Sequence, residues 1–391
     1  MVERAADGVR QRNLSTVLRL IHLEGPQSRS QLTSRTGLNR STVAALAGEL
    51  VELGLAQERA PVETNRVGRP SPVVSVHPGV TAVAVNPEVD AVTSAAVGLG
   101  GQVVTRERVE LDSVVGPEQT AELTRSVISR WHDHELDGVP PVGIGLAVPG
   151  LVRAADGLVR LAPHLEWRDA PVRDLVQSAT GLPVVIGNDA SLGAVAEHRF
   201  GAGRGVDDLV YLNGGASGIG GGLVVAGHAV TGAGGYAGEF GQNRPGITHA
   251  ADRRGGSGAG VLEDEVSRAR LLEAVGLQAA DEPRLAAAIA AASDHVVDAE
   301  VDRQRRILAT ALANAVNVLN PSVAILGGFL ATLAERDLDG LVSAVVEQAM
   351  PGVADDLEVR VAALGEDRLL IGAAEAAFAA LLADPLVVQT R

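Results

Sequence analysis

Three stretches of this chain carry side chains suited to holding a ligand rich in hydroxyl groups. Asn188 and Asp189 close the apolar run Val184-Val-Ile-Gly187, so an amide and a carboxylate stand together at the carboxyl end of a strand. Ligands of open α/β sheets collect at that end. Glu239 lies between Gly238 and Phe240-Gly241, where small neighbours leave its oxygens accessible. Glu263 follows Leu262 in the third stretch. A carboxylate accepts two hydroxyl hydrogen bonds at once, so acids and an amide around a polar pocket fit a sugar. An Asx pair at a strand-to-helix junction is also a common helix N-cap. Capping accounts for one of Asn188 and Asp189 and for neither glutamate.

The elements that must position these groups start with the most glycine-dense part of the chain. Leu209–Leu212 enters six glycines between Gly214 and Gly222, and Leu223–Val225 leaves them. This pattern predicts a β-hairpin whose turn uses positive φ and close backbone approach. Its N–H groups form an anion cradle suited to phosphate, or the glycines serve only the hairpin.

Further motifs accompany these: Pro163-His-Leu-Glu-Trp167, Gly187-Asn-Asp-Ala190, Ala196-Glu-His-Arg-Phe-Gly-Ala-Gly203, Gly238-Glu-Phe-Gly241, and Asn320-Pro321 leading to Ile325-Leu-Gly-Gly328. In this order they resemble the ROK family of repressors, open reading frames and kinases, from about Arg12 to about Leu382. The resemblance implies an α/β body with the two-lobed ribonuclease H-like (actin-like ATPase/sugar kinase) fold. It also implies that Asn188, Asp189, Glu239 and Glu263 bind sugar hydroxyls, Asp189 matching the catalytic base of the kinases.

Two family features are altered. Family kinases carry Asp-x-Gly-Gly-Thr on the first strand pair, and the matching stretch here reads Asn86-Pro87-Glu88-Val89-Asp90. Both glycines are gone, Pro87 removes an N–H donor, and Glu88 and Asp90 repel phosphate. Phosphoryl transfer depends on such positioning, so the expectation is a body that is not an enzyme and takes no cofactor. Family members also follow Gly-Glu-x-Gly with a zinc-binding His and three Cys. Here those places hold Gln242, Arg254, Gly256 and Val261, so no structural zinc is expected. Because the family His also touches the sugar, Gln242 joins the candidate ligand-binding residues.

Charge separates the chain into two parts. Residues 1–72 hold ten Arg against seven acids, whereas the remainder is strongly acidic within a net charge of −15. An acidic body cannot lie on a polyanion, so contact with DNA belongs to the first 72 residues. Leu14, Val17, Leu18 and Ile21 predict a helix from Asn13 to Glu24, closed by Gly25-Pro26. Ser30 is expected to cap a short second helix, and Thr36-Gly37-Leu38 to turn into a third bearing Val43, Leu46, Leu50 and Leu53. This is a helix-turn-helix pattern. Asn39, Arg40, Ser41 and Thr42 open the third helix, where base edges and phosphates are met, and Arg29, just before the second, is a further candidate DNA contact. Leu55–Arg59 and Pro72–Val76 predict the strands of a wing. The intervening Arg66 and Gly68-Arg69-Pro70 suit a narrow minor groove.

There is no cysteine, hence no disulfide framework. No apolar run reaches the roughly 18 residues of a membrane span and no signal-peptide pattern opens the chain, so a cytoplasmic protein is expected. The expected domains are a winged helix-turn-helix over residues 1–78, a first α/β lobe over 79–198 and 368–391, and a second over 199–367. Together with the resemblance, these features predict a DNA-binding transcriptional regulator, a repressor sensing a sugar or sugar derivative. Its expected partners are operator DNA, that sugar, and further copies of itself in a homodimer or dimer of dimers. The alternative is an active ATP-dependent sugar kinase with an N-terminal adaptor.

Overall fold

The computed structural model describes residues 2–60, 71–247, 249–252 and 260–390. Its first elements are α1 (Val2–Glu24), β1 (Gln27–Ser28), α2 (Arg29–Thr36), α3 (Arg40–Glu52), β2 (Ala56–Arg59) and β3 (Val73–Val76). Leu14, Val17, Leu18 and Ile21 of α1, Leu32 of α2, and Val43, Leu46 and Leu50 of α3 are all buried where the three helices pack. Helix α1 begins well before Asn13, and periodicity reveals only its second half because the buried face starts at Leu14. Ser28, rather than Ser30, caps α2. Its hydroxyl accepts from the Gln31 N–H at 3.2 Å while Gln31 Oε1 accepts from the Ser28 N–H at 2.8 Å. That capping box needs Gln or Glu three residues after the cap, a spacing that Ser28 has and Ser30 lacks. Strand β3 lies between β1 and β2, antiparallel to both, and completes a winged helix.

The chain continues through β4 (Thr81–Pro87), β5 (Ala91–Gly98), β6 (Val103–Glu110), α4 (Pro117–Trp131) and β7 (Ile144–Val148). Three short strands follow, β8 (Leu151–Val152), β9 (Val159–Ala162) and β10 (Trp167–Ala170), then α5 (Val172–Thr180) and β11 (Val184–Asn188). The first sheet has the order β11-β7-β4-β5-β6. Every residue of β4 and β5 is buried, whereas the edge strand β6 alternates between half-buried and exposed positions. That difference is what burial on two faces against one produces.

Next come α6 (Asp189–Phe200), β12 (Leu209–Gly215), β13 (Gly218–Val225) and β14 (His228–Ala229). Four helices follow, α7 (Leu262–Glu265), α8 (Arg268–Ala274), α9 (Glu282–Ala291) and α10 (His295–Leu319). The chain closes with β15 (Val323–Gly328), α11 (Phe329–Glu335), α12 (Leu338–Gln348), β16 (Glu358–Val361) and α13 (Arg368–Ala383). The second sheet runs β14-β13-β12-β15-β16. Numbered within itself, each sheet reads third, second, first, fourth, fifth. In both, the first two strands form an antiparallel hairpin and the fourth runs parallel to the first. This repeated topology is the two-lobed α/β architecture that the motifs imply.

Residues 1–147, 170–187 and 373–391 form one compact unit, and 148–169 with 188–372 the other. Within the first, α1 is tied to α13: the Ser15 hydroxyl donates to the Leu382 carbonyl at 2.6 Å. Buried His22 accepts from the Gly100 N–H on Nδ1 at 2.9 Å, with Nε2 3.2 Å from Glu375. The core of the second unit is built on α10, whose Val297, Val301, Ile307, Leu308, Leu312 and Val316 pack with Leu326 and Phe329. Among the described residues no helix is long and apolar enough to cross a membrane.

Candidate functional site

The glycine hairpin is present, but its glycines serve packing more than turn conformation. Of the six, only Gly218 has positive φ, at 122°. A Cβ on Gly220 would lie 2.6 Å from the Ala190 Cβ, and one on Gly222 2.5 Å from that of Ala194. Helix α6 therefore lies directly on β13, its Ala190 and Ala194 seated over bare backbone. This approach carries Asn188 and Asp189, at the start of α6, to the turn of the hairpin. Beside the turn, on β13, the Ile219 N–H donates to Glu263 Oε2 at 3.3 Å.

A cleft of about 430 Å³ in the second unit is lined by all five candidate ligand residues, Asn188, Asp189, Glu239, Gln242 and Glu263. Its volume matches small-molecule sites. Asn188 caps α6, its Oδ1 accepting from the Ser191 N–H at 2.9 Å and its Nδ2 donating to the Gly150 carbonyl at 3.1 Å. Asp189 Oδ1 accepts from the Ala190 N–H at 2.8 Å, yet burial pushes its carboxyl up. Glu263 is also anchored by Gln242, whose Nε2 donates to Oε1 at 2.5 Å. A Cβ on Gly218 or Gly241 would collide with that carboxylate, so both glycines make its seat. Glu239 differs from the rest. Half-buried, it is pushed up by desolvation and then by the charges of Asp189 and Glu263, and among the described residues no hydrogen bond opposes the shift. Three carboxylates thus meet in one cleft, one of them without a donor among the described residues, an arrangement that a ligand offering hydroxyl protons would relieve.

Asn213, Ser217 and His164 also line the cleft, and sequence reasoning overlooked them. Asn213 was within reach of the rule applied to Asn188, since it too stands near the carboxyl end of a strand. Its Oδ1 accepts from the Tyr211 hydroxyl at 3.2 Å and from Arg368 Nε at 3.0 Å.

In the first unit, the stretch Asn86–Asp90 forms a tight hairpin turn in which the Glu88 N–H donates to the Ala91 carbonyl at 2.7 Å. Arg108 on β6 donates to Glu88 at 2.5 Å, to Asp90 at 3.0 Å and to Glu110 at 2.8 Å. The Thr93 hydroxyl donates to Glu88 at 2.7 Å. The turn thus carries the carboxylates of Glu88 and Asp90, both paired with Arg108.

On the winged helix, Asn39 caps α3, accepting from the Thr42 N–H at 2.8 Å and the Ser41 hydroxyl at 2.7 Å. Arg40 is exposed at the first position of α3. Arg29 donates to Glu58 of β2 at 2.6 Å, an ion pair that ties α2 to the wing strand. Arg66 and Arg69 lie outside the described residues.

The ROK family model matches residues 83–379, most of the chain. The chain belongs to the ROK family. It is 27% identical to a xylose repressor of Caldicellulosiruptor bescii over 88% of this chain and 90% of that protein. A glucokinase of Halalkalibacterium halodurans is 30% identical over 65% of this chain and 81% of its own. A solved ROK-family transcriptional regulator, described as a homolog of the E. coli MLC protein, superposes with a TM-score of 0.75 at 23% identity, covering 97% of this chain and 98% of its own. The family model begins after the winged helix, whereas a superposition of that extent includes it.

Zinc, which the ROK resemblance implies, does not fit the residues present. The chain has no cysteine, and Gln242, which the resemblance sets in the place of the family histidine, spends its amide on Glu263. Val261 is apolar and buried. Arg254 and Gly256 lie outside the described residues.

Proposed function

We propose that this ROK-family chain is a DNA-binding transcriptional regulator, a repressor, that senses a sugar or sugar derivative in the cleft of its second unit without phosphorylating it. The observation that carries the sensing role is Glu239, a carboxylate that has no hydrogen-bond donor among the described residues and stands beside Asp189 and Glu263. Sugar hydroxyls supply such donors and bring no negative charge. For the DNA role, Arg40 at the head of α3 is placed to reach a base edge, and Asn39, Ser41 and Thr42 to shape the helix start and meet phosphates. Arg66 and Arg69 add minor-groove contacts, and Arg29 steadies the wing through Glu58. The protein acts as a homodimer, matching a two-fold operator.

The relative named as a xylose repressor makes D-xylose the first sugar to try, followed by a panel of unphosphorylated pentoses and hexoses. DNA selected from a random pool by the full chain serves as the operator. Its affinity, followed by fluorescence anisotropy, should change on adding the sugar that binds. Arg40→Ala should weaken specific binding by about 1–3 kcal/mol and relax the preference at one base position. Glu239→Gln and Glu263→Gln should each lower sugar affinity about tenfold to a hundredfold, the loss of one charge-assisted hydrogen bond, and leave sugar-free DNA binding as it was. A chain that ignores every sugar in the panel sinks the sensing role.

A further inference from the structure

Arg303 lies outside the cleft, and we infer that it is a positioning residue for it, holding the segment that carries Glu263 without touching the ligand. The inference rests on the sugar-sensing reading of that cleft. The Arg303 side chain is 3% exposed, in the middle of α10. Its Nε donates to the Asp252 carbonyl at 2.9 Å, its Nη1 to the Glu265 carbonyl at 2.9 Å, and its Nη2 to the Glu265 carboxylate. The next residue, Gln304, continues the grip. Its Oε1 accepts from the Ser267 N–H at 3.0 Å, and its Nε2 donates to the Ser267 carbonyl at 3.1 Å.

What this grip holds cannot hold itself. Helix α7 has four residues, and its cap Val261 offers no side-chain hydrogen bond. A single turn of that length does not persist without outside contacts. Within it, Glu263 and Glu265 are two residues apart, about 200° around the helix axis. Glu265 is therefore gripped by α10 on one side while Glu263 faces Gln242 and the Ile219 N–H on the other. Any rotation that frees Glu265 also displaces Glu263.

Neither Arg303 nor Glu265 is among the residues that line the cleft. Arginine suits the task because its planar fork reaches two carbonyls and a carboxylate together, as the compact ammonium of lysine does not. Asp252 is held a second time by Arg306, whose Nε and Nη2 donate to it at 3.0 and 2.7 Å.

The test uses the full chain and the sugar that binds the parent best in the panel above. Arg303→Met should lower sugar affinity about tenfold or more, and Arg303→Lys should restore part of the loss. Combined with Glu263→Gln, Arg303→Met should cost little beyond the single Glu263→Gln change, because a displaced Glu263 and a neutralised one are the same loss. A folded Arg303→Met protein with parental affinity, or losses that simply multiply in the double variant, would overturn the inference. Should Arg303→Met fail to fold, the milder Glu265→Gln carries the same cycle. Hydrogen exchange of the peptide covering 260–267, in the absence of sugar, gives a readout independent of binding. It should rise at least tenfold in Arg303→Met while the β4–β5 hairpin stays as protected as in the parent. No rise there rejects the positioning role. A rise in a protein whose parent binds no sugar keeps the positioning role and rejects the sensing reading instead.

Discussion

The hairpins β4–β5 and β12–β13 open their sheets at the same place in the same topology, yet their turns have opposite chemistry. The first is closed by charge: Glu88 and Asp90 crowd the turn, and Arg108 gathers them with Glu110. The second is closed by bare backbone, with Gly220 and Gly222 under α6 and one N–H given to Glu263. Strand pairing sets where a hairpin stands, and a few residues at its tip set what it can bind. A family resemblance therefore establishes the sheets with more authority than the function of their loops.

The largest expected contrast is in catalysis. With ATP and a panel of hexoses and pentoses, product formation should equal a no-protein control, because phosphoryl transfer depends on donors around the phosphate and the first turn carries two carboxylates. Turnover that vanishes in Asp189→Asn would break the comparison by showing that the second hairpin suffices.

Next in size is packing. Gly222→Ala drives a methyl group to within 2.5 Å of Ala194. It should cost about 1–3 kcal/mol in a denaturant titration, as overpacking does. Val89→Ala, at the exposed tip of the first hairpin, should stay within about 0.5 kcal/mol. Similar costs at both sites would erase the distinction between a turn set by backbone contact and one set by charge.

A smaller effect is expected at Arg108, whose side chain is one-third exposed. Arg108→Met should destabilise by about 1 kcal/mol at low salt, the upper end for surface pairs. The gap should narrow in about 1 M salt as the remaining carboxylates are screened. A gap independent of salt would assign Arg108 to packing.

Smallest is the response of Glu239 to pH. Its carboxyl is pushed up by burial and then by Asp189 and Glu263. The folded state thus holds the proton more tightly than the unfolded one, and stability falls as pH rises from the ordinary carboxylate range through the raised value. Glu239→Gln should therefore melt slightly higher than the parent at neutral pH, and the difference should close below that range. A variant that melts lower at neutral pH would make Glu239 a structural carboxylate.

Much of this was legible along the chain. The spacing of Leu14, Val17, Leu18 and Ile21 marked the core face of α1, and all four are fully buried. The apolar strands, the Asx pair before α6 and the ordered family motifs led to the fold and to five residues that do line one cleft. Local period, capping chemistry and glycine placement are properties of neighbours in sequence, and neighbours in sequence are read directly. What the tertiary structure alone decided is which distant groups meet. Nothing local to Arg303 and Gln304 marks them as buried, yet both are held by partners more than thirty residues away. Gly222 reads as a turn residue until α6 is laid on it. A charge or a missing side chain states what a position can do. Its partner is set by the packing of the whole domain, and no local pattern carries that information.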